Sequence, residues 1–501
     1  MSMSDQATHY LLMSDIHLGA DVAHRGQRIV AGASIPPSDP PVLDRNLAAL
    51  LDRYRAEAEA DSGRRWTLVI AGDVIDFVSM GVAPHEGESD PESVNEGKRR
   101  VKPAGDEVKQ AVHKLRAVAR RHELAFRALA RFVAAGHRLV LVRGNHDLAF
   151  YWRPVRRAFV KALLERMDAA EESGSRAAFR SRIEFRDWFY YVEGQLYVEH
   201  GHLYDETCCY QNALAPLSPC DPARLMDSFS DILERYVVGP TRGLGTAGHE
   251  NRTLFHYLWL AFSLGLSGFA TLGIRFAGSI VRLLSAWRAS LGRGAAAVRA
   301  LHERRMKQLA GRFRLKEELL RSLASLWAVP VTRRLSSILR SLFLDVLLAL
   351  GGLALVLACV MLFELTPLWL LLLLALPLVG VMVLWIRRRR VLDSAPALRK
   401  AARGVVALLP ACFVVMGHTH VPEVERIGER TTYVNLGRFL SNTDGDGDNH
   451  GEGDGDSTAT RASSRPPGYL VLRNVGGRLE ADFGGLTLPD DRSVARESLD
   501  Q

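Results

Sequence analysis

The chain has 501 residues, 48% of them hydrophobic, which fits a globular protein and is long enough for one large domain or two to three smaller ones with a real core. Five scattered cysteines, Cys208, Cys209, Cys220, Cys359 and Cys412, form no CxxC pair, so a secreted disulfide framework is excluded and a reducing, cytosol-facing setting is expected. The formal net charge is +8, but residues 275–340 hold 15 Lys plus Arg against 3 Asp plus Glu, a local +12, so the remainder sums to 8 − 12 = −4. The basic character therefore belongs to one segment and calls for a local explanation.

In chain order, the first predicted strand runs into Asp15-Ile16-His17, after an N-terminal stretch with no basic-then-apolar secretory pattern. A helix is predicted from 42 to about 60, with Leu43, Leu47, Leu50, Leu51 and Tyr54 at helical spacing. A second strand, 66–71, delivers Gly72-Asp73-Val74-Ile75-Asp76. A polar stretch, 81–106, reads as a surface loop, and a basic amphipathic helix from about 107 to 135 leads to the third strand and Gly144-Asn145-His146-Asp147. Another helix is predicted over 153–170, followed by two strands within 183–198 joined at Glu193-Gly194-Gln195, the second ending in His200-Gly201-His202. Strand patterns resume at 412–420, which ends in Gly417-His418-Thr419-His420, and continue through 431–437, 468–475 and 478–483.

This repetition of strand, polar turn and helix predicts an α/β (α+β) fold with its site at the carboxyl ends of the strands. The predicted organisation is a first catalytic part at 1–205, a helical insertion at 206–410, a second catalytic part at 411–488 and a tail at 489–501. Within the second part, residues 442–465 alternate Asp and Gly. A calcium loop started at Asp444 fails, because its sixth position is Asn449 and its twelfth Gly455, so an acidic disordered linker is expected. His24, His85 and His249 lie outside every motif and are expected at the surface.

The insertion holds two uncharged runs, 346–363 and 365–386, split by Glu364 and Pro367 and flanked by Arg333, Arg334 and Arg340 before and Arg387 to Arg390 after. Each is near the ~20 residues that span a bilayer, so a transmembrane hairpin at about 342–363 and 368–386 is expected, with both ends cytoplasmic. Residues 253–274 form a third uncharged run. If the motifs on either side share a site, the chain crosses the membrane an even number of times between them, so this run is expected to lie in the interface or to pack on protein. The basic helices of 275–340 would then rest on an anionic leaflet, with binding to nucleic acid as the rival explanation.

Together and in order, Asp15-x-His17, Gly72-Asp73-x-x-Asp76, Gly144-Asn145-His146-Asp147, His200-Gly201-His202 and Gly417-His418-Thr419-His420 resemble the motif series of calcineurin-like metallophosphoesterases. The resemblance implies a four-layer αββα sandwich and a phosphoesterase using two divalent metal ions. It implies that Asp15, His17 and His420 hold one ion, that Asn145, His200 and His418 hold the other, and that Asp73 bridges them. His146 matches a histidine that contacts the phosphate and protonates the leaving oxygen, with Asp147 placed to orient it and Asp76 behind the ligands. His202 stays outside the ligand set. Mixed Asp, Asn and His donors suit Mn²⁺, with Fe or Zn²⁺ as alternatives. The expected chemistry is in-line attack on phosphorus by hydroxide generated at the metal pair, without a covalent enzyme intermediate.

The placement of the insertion is also similar to the lid of bacterial UDP-2,3-diacylglucosamine pyrophosphatases, which carry Arg where this chain has His146. That resemblance implies a lipid- or nucleotide-linked phosphate substrate at the cytoplasmic membrane face. A membrane-recruited nuclease and a catalytically silent membrane scaffold are the alternatives.

Overall fold

The computed structural model describes residues 8–22, 41–60, 64–80, 106–167, 175–238, 265–342, 394–439 and 468–483, together with positions 351, 352, 358 and 380. The expected membrane hairpin, the acidic linker 442–465, the tail and His24, His85 and His249 fall outside the described residues, the four isolated positions excepted. Among the described residues, no helix is long and apolar enough to cross a membrane.

Two sheets carry the fold. The first contains β1 (His9–Met13), β2 (Trp66–Ala71), β3 (Arg138–Val142) and β4 (Ile183–Arg186) as parallel neighbours, extended at the β1 edge by antiparallel β12 (Leu470–Val475) and β13 (Arg478–Asp482). The second has the order β10-β11-β9-β6-β5, formed by β5 (Phe189–Val192), β6 (Leu196–Glu199), β9 (Phe413–Met416), β10 (Glu423–Arg426) and β11 (Thr432–Asn435). In it β6, β9 and β11 run parallel. A short hairpin, β7 (Leu217–Ser218) with β8 (Asp221–Leu225), lies in the insertion.

Successive strand residues point to opposite faces, and both faces of the parallel strands are apolar. Tyr10, Leu12, Val69, Ala71, Val140 and Val142 meet Tyr190, Leu196, Val198, Val415 and Val434 between the sheets. Leu11, Met13, Leu68, Ile70, Leu139 and Leu141 face the other way, against α1 (Val42–Ala60), α3 (Glu123–Ala134) and α4 (Arg153–Leu164). On the far side of the second sheet, Phe189, Tyr197, Val414, Met416 and Tyr433 pack with helices of the insertion. Met306 and Ala310 come from Arg293–Phe313, Leu320 and Leu323 from Glu317–Ala324, and Leu398, Ala402 and Val405 from Ala395–Leu408. The insertion thus supplies the fourth layer of the sandwich, and it shares a core with the catalytic parts.

Several expectations are corrected here. The helix expected over 107–135 is two helices, α2 (Asp106–Arg121) and α3, broken at His122. There the imidazole Nδ1 is held by Asp44 at 2.7 Å and Nε2 lies 2.9 Å from Asp21, so the side chain turns inward. The helix expected to end at 170 stops at Leu164. The two strands expected within 183–198 are three, because the chain leaves the first sheet after Arg186 and enters the second at Phe189. Asp187 is anchored there by Arg143 and Arg156, and the Trp188 indole N–H donates to Glu199. Of the uncharged run 253–274, expected to lie in the interface or to pack on protein, only residues 265–274 are described. They belong to a helix, Gly265–Ser290, whose Phe276, Ile280, Leu283 and Trp287 pack on Phe229, Ile232, Val331 and Ile338.

Candidate functional site

Five parallel strands, β1, β2, β3, β6 and β9, end at one place, and each is followed by a turn bearing Asp, Asn or His. The turns are tied to one another by main-chain bonds. His17 N–H donates to Asp73 C=O at 2.9 Å, Gly417 N–H to His200 C=O at 2.9 Å and Phe77 N–H to His146 C=O at 3.1 Å. Asp15, His17, Asp73, His418 and His420 all lie in the left-handed region, with φ between 50° and 73°. For residues with a Cβ this costs ~1–3 kcal/mol each and persists only where the surroundings demand it. The strand ends are therefore bent sharply so that these side chains turn inward.

The approach is close enough to require glycine at two of the turns. A Cβ on Gly144 would fall on the Asp73 carboxylate and 2.8 Å from the Asp73 backbone nitrogen, and one on Gly417 would meet the Ser14 hydroxyl and the Asp15 carboxylate.

The donors gather in two groups. Asp15, His17 and His420 form one, with His17 Nε2 3.1 Å from His420 Nε2 and His420 Nε2 3.3 Å from Asp15 Oδ1. In the other, His200 Nε2 stands 3.0 Å from Asn145 Oδ1 and 3.1 Å from Asp73 Oδ2, with the His418 ring 5.3 Å from that of His200. Asp73 Oδ2 is also 3.9 Å from His17 Nε2, so its carboxylate stands between the groups. His200 Nδ1 donates to Ala71 C=O at 2.8 Å, which leaves Nε2 as the donor toward the cluster.

Electrostatics follow from this crowding. Burial would lower His17 and His200, yet the carboxylates around them, Asp15 and Asp76 for the one and Asp73 and Asp15 for the other, draw both up to about 9. Burial would raise Asp15 and Asp73, yet the neighbouring imidazoles hold both below the usual carboxylate range. A pocket whose potential pulls protons onto imidazoles favours cations in general. Asp15 Oδ1 is buried without a hydrogen-bond donor, and two ring nitrogens at 3.1 Å point at each other. Lone pairs converging in this way fit divalent metal ions of the borderline kind that take mixed O and N donors.

The side chain beside His146 is Asp76, whose Oδ1 lies 3.0 Å from Nδ1. Asp147, expected to orient His146, instead accepts the Gly144 N–H at 2.6 Å and the Val74 N–H at 3.0 Å, and so pins the Asn145-His146 turn to the β2 turn through the backbone. Its short side chain is consumed by these amides; burial and the nearby Asp73 push it up to about 7. Burial would lower His146, but Asp76, Glu234 and Asp73 hold it well above its ordinary value.

Residues 8–233 match the family model described as calcineurin-like phosphoesterase. Over these residues the chain is similar to calcineurin-like phosphoesterases. No curated protein and no solved structure matches it significantly. The match suggests metal-dependent hydrolysis of phosphate esters, and groups of Asp and His that could hold metal ions are present among the described residues.

All seven expected ligands, Asp15, His17, Asp73, Asn145, His200, His418 and His420, are brought together at the strand ends. His202 is buried behind His200 and His418, its Nδ1 without a partner; burial and then those two imidazoles hold it well below its ordinary value. Two residues escaped the sequence reading. Asp205 Oδ2 lies 3.1 Å from His418 Nε2, which leaves Nδ1 for the cluster. Glu234 Oε2, from the insertion, lies 4.0 Å from His146 Nε2. Asp205 follows His200 by five residues in a turn, a signal available only after the ligand was known, and nothing in the pattern marked Glu234.

Proposed function

We propose that the protein is a dinuclear metallophosphoesterase working at the cytoplasmic face of a membrane. The observation that carries the hydrolase reading is the convergence of five strand-end turns on Asp73, with donor groups on both of its sides. Asp15, His17 and His420 would hold one cation, Asn145, His200 and His418 the other, and Asp73 both, with Mn²⁺ the best match to the donor set and Fe or Zn²⁺ next. When bound, such ions activate water and offset charge on phosphoryl oxygens.

The chain's own groups do the rest. Asp76 holds His146 Nδ1, which leaves Nε2, with Glu234 Oε2 4.0 Å away and outside hydrogen-bond distance, as the nitrogen that would hydrogen-bond a phosphoryl oxygen and protonate the leaving oxygen. Ser14 donates to Asp15 Oδ2 at 2.5 Å and the His418 N–H donates to the same oxygen at 3.0 Å, which fixes that carboxylate with Oδ1 toward the cluster. Asp205 fixes the His418 ring in the same manner.

Attachment to a phospholipid membrane is supported by the uncharged runs 346–363 and 365–386 with their basic flanks, and by Ile274 and Val281, exposed on one face of the helix Gly265–Ser290. The substrate proposed is a lipid- or nucleotide-linked phosphodiester or pyrophosphate, because the insertion that would meet the membrane also reaches the site. A nuclease recruited by the +12 segment is the second reading, and salt-sensitive DNA binding lost on deleting 275–340 would favour it.

The test is Mn²⁺-dependent hydrolysis of a generic phosphodiester by wild type, Asp73→Ala and His146→Ala, followed by a panel of lipid- and nucleotide-linked phosphates. Equal rates in wild type and Asp73→Ala would refute the mechanism. Hydrolysis of the generic ester with every panel member untouched would refute the substrate class.

A further inference from the structure

We propose that Glu234 is a positioning residue for His146, carried in by the insertion and completing a ring of polar side chains around the imidazole. The inference rests on the hydrolase reading for its catalytic consequence and on geometry alone for the ring.

The ring is short and made of named contacts. His146 Nδ1 lies 3.0 Å from Asp76 Oδ1, and Asp76 Oδ2 accepts from the Ser79 hydroxyl at 2.7 Å. The same hydroxyl contacts Glu234 Oε1, and Glu234 Oε2 returns to His146 Nε2 at 4.0 Å, within ion-pair range. A hydroxyl has one proton, so Ser79 cannot donate to both carboxyls at once. It therefore ties the two carboxyls together as donor to one and close neighbour of the other. The four side chains therefore form one connected ring of polar contacts around the imidazole. An imidazole held at Nδ1 alone can swing about that contact, whereas a second group at Nε2 sets its direction.

The backbone that presents Glu234 is built for the purpose of holding it still. Helix α6 (Phe229–Leu233) starts with a reciprocal capping box between Ser228 and Asp231, and Asp231 also accepts from the Tyr210 hydroxyl at 2.9 Å. Phe229 and Ile232 are buried against Leu283, Val331 and Ile338 of the insertion. Immediately afterwards the helix widens into a π-turn, Glu234–Val238, a form that re-aims side chains and occurs often at functional sites. The Glu234 side chain is 16% exposed, and a carboxylate withdrawn that far from water is costly unless it is paired. The family match ends at residue 233, so the feature lies just beyond the part of the chain that the match covers. The consequence is that the docking of the insertion and the aim of His146 are coupled.

The experiment uses full-length protein with Mn²⁺ and two phosphodiesters, one with an activated aryl and one with an alkyl leaving group. Glu234→Ala should lower kcat on the alkyl ester by about tenfold more than on the aryl ester, because only the poor leaving group needs the proton, and a positioned acid contributes ~10²–10⁴-fold. Glu234→Gln, which keeps the Ser79 contact and loses the charge, should fall between. In a His146→Ala background neither Glu234 variant should add a further loss on the alkyl ester. Equal losses on both esters, or losses that multiply with His146→Ala, would overturn the proposal; the glutamine variant carries the same cycle if the alanine variant does not fold. Independently of turnover, and in metal-free protein so that paramagnetic Mn²⁺ does not broaden them, the His146 imidazole resonances, assigned by their disappearance in His146→Ala, should shift in Glu234→Ala and Glu234→Gln. Unshifted resonances overturn the ring even in an active enzyme, and shifted resonances in a protein that hydrolyses no phosphoester support the ring while removing the hydrolase reading.

Discussion

Gly144→Ala adds one methyl group, and the site has no room for it. The new Cβ would stand 2.8 Å from the Asp73 backbone nitrogen, with the Asp73 carboxylate closer still. Ordinary contact for a methyl group is about 3.5 Å or more, so either the Asn145-His146 turn or the Asp73 carboxylate must move by roughly 1 Å. Overpacking of this kind destabilises a domain by ~1–3 kcal/mol, which a fold of this size can absorb. A displacement of about 1 Å in a catalytic constellation costs on the order of 10²-fold in rate. The His146 N–H donates to Asp73 Oδ1 at 2.9 Å, so the shift would disturb both the proposed acid and the proposed bridging carboxylate. The variant should thus keep its circular dichroism spectrum and lose on the order of 10²-fold in kcat with Mn²⁺, together with affinity for the metal. Wild-type kcat and metal affinity in a folded Gly144→Ala protein would refute the claim that Asp73 and the β3 turn are fitted to each other at this precision.

Three further outcomes follow from other parts of the molecule. Asp205→Ala should lower metal affinity by about 10–100-fold by calorimetry, as expected for the loss of a carboxylate that orients a ligating histidine, while unchanged affinity would remove Asp205 from the site. Leu398→Ala, in an insertion helix against the second sheet, should cost ~2–5 kcal/mol in urea unfolding of the whole domain. A separate early transition with the main one unmoved would show the insertion to be an independent body. The buried His122 is raised to about 8, since Asp21 and Asp44 outweigh the burial that would lower it. Its pairing therefore stabilises fully below an unfolded value near 6.5 and fades as pH rises through about 8. Wild type should lose up to ~2 kcal/mol across that window, by the ~1.4 kcal/mol per pKa unit rule, and Asp44→Asn should lose less. A flat profile in wild type refutes this.

The five strand-end motifs were legible because parallel strands buried on both faces are continuous apolar runs, and polar residues such as Asp73 or Asn145 stand out where the runs stop; which of these residues are proposed as ligands came from the resemblance to calcineurin-like metallophosphoesterases. Most strands were legible for the same reason; β10, whose Glu423–Arg426 sequence is half polar at a sheet edge, and the short hairpin of β7 and β8 give no such apolar signal. The switch of sheets at Asp187 and Trp188 was hidden because β4 and β5 read as one extended run, and only the arginine contacts to Asp187 separate them. The break at His122 depends on Asp21 and Asp44, which are far away in the chain. The exchange of roles between Asp76 and Asp147 was equally invisible: both lie near His146 in space, and which one meets the ring depends on backbone amides that claim Asp147 first. Glu234 sits on a π-turn whose position is set by the packing of Phe229 and Ile232, which no local pattern encodes.

The most direct test of the account is a titration of metal-free protein with Mn²⁺, following bound metal and hydrolysis of a phosphodiester together, in wild type and in Asp73→Ala. The account predicts two ions bound per wild-type chain with activity appearing as the second site fills, and a folded Asp73→Ala protein that binds weakly and hydrolyses nothing. Wild-type activity without divalent metal, or equal activity in Asp73→Ala, would contradict it.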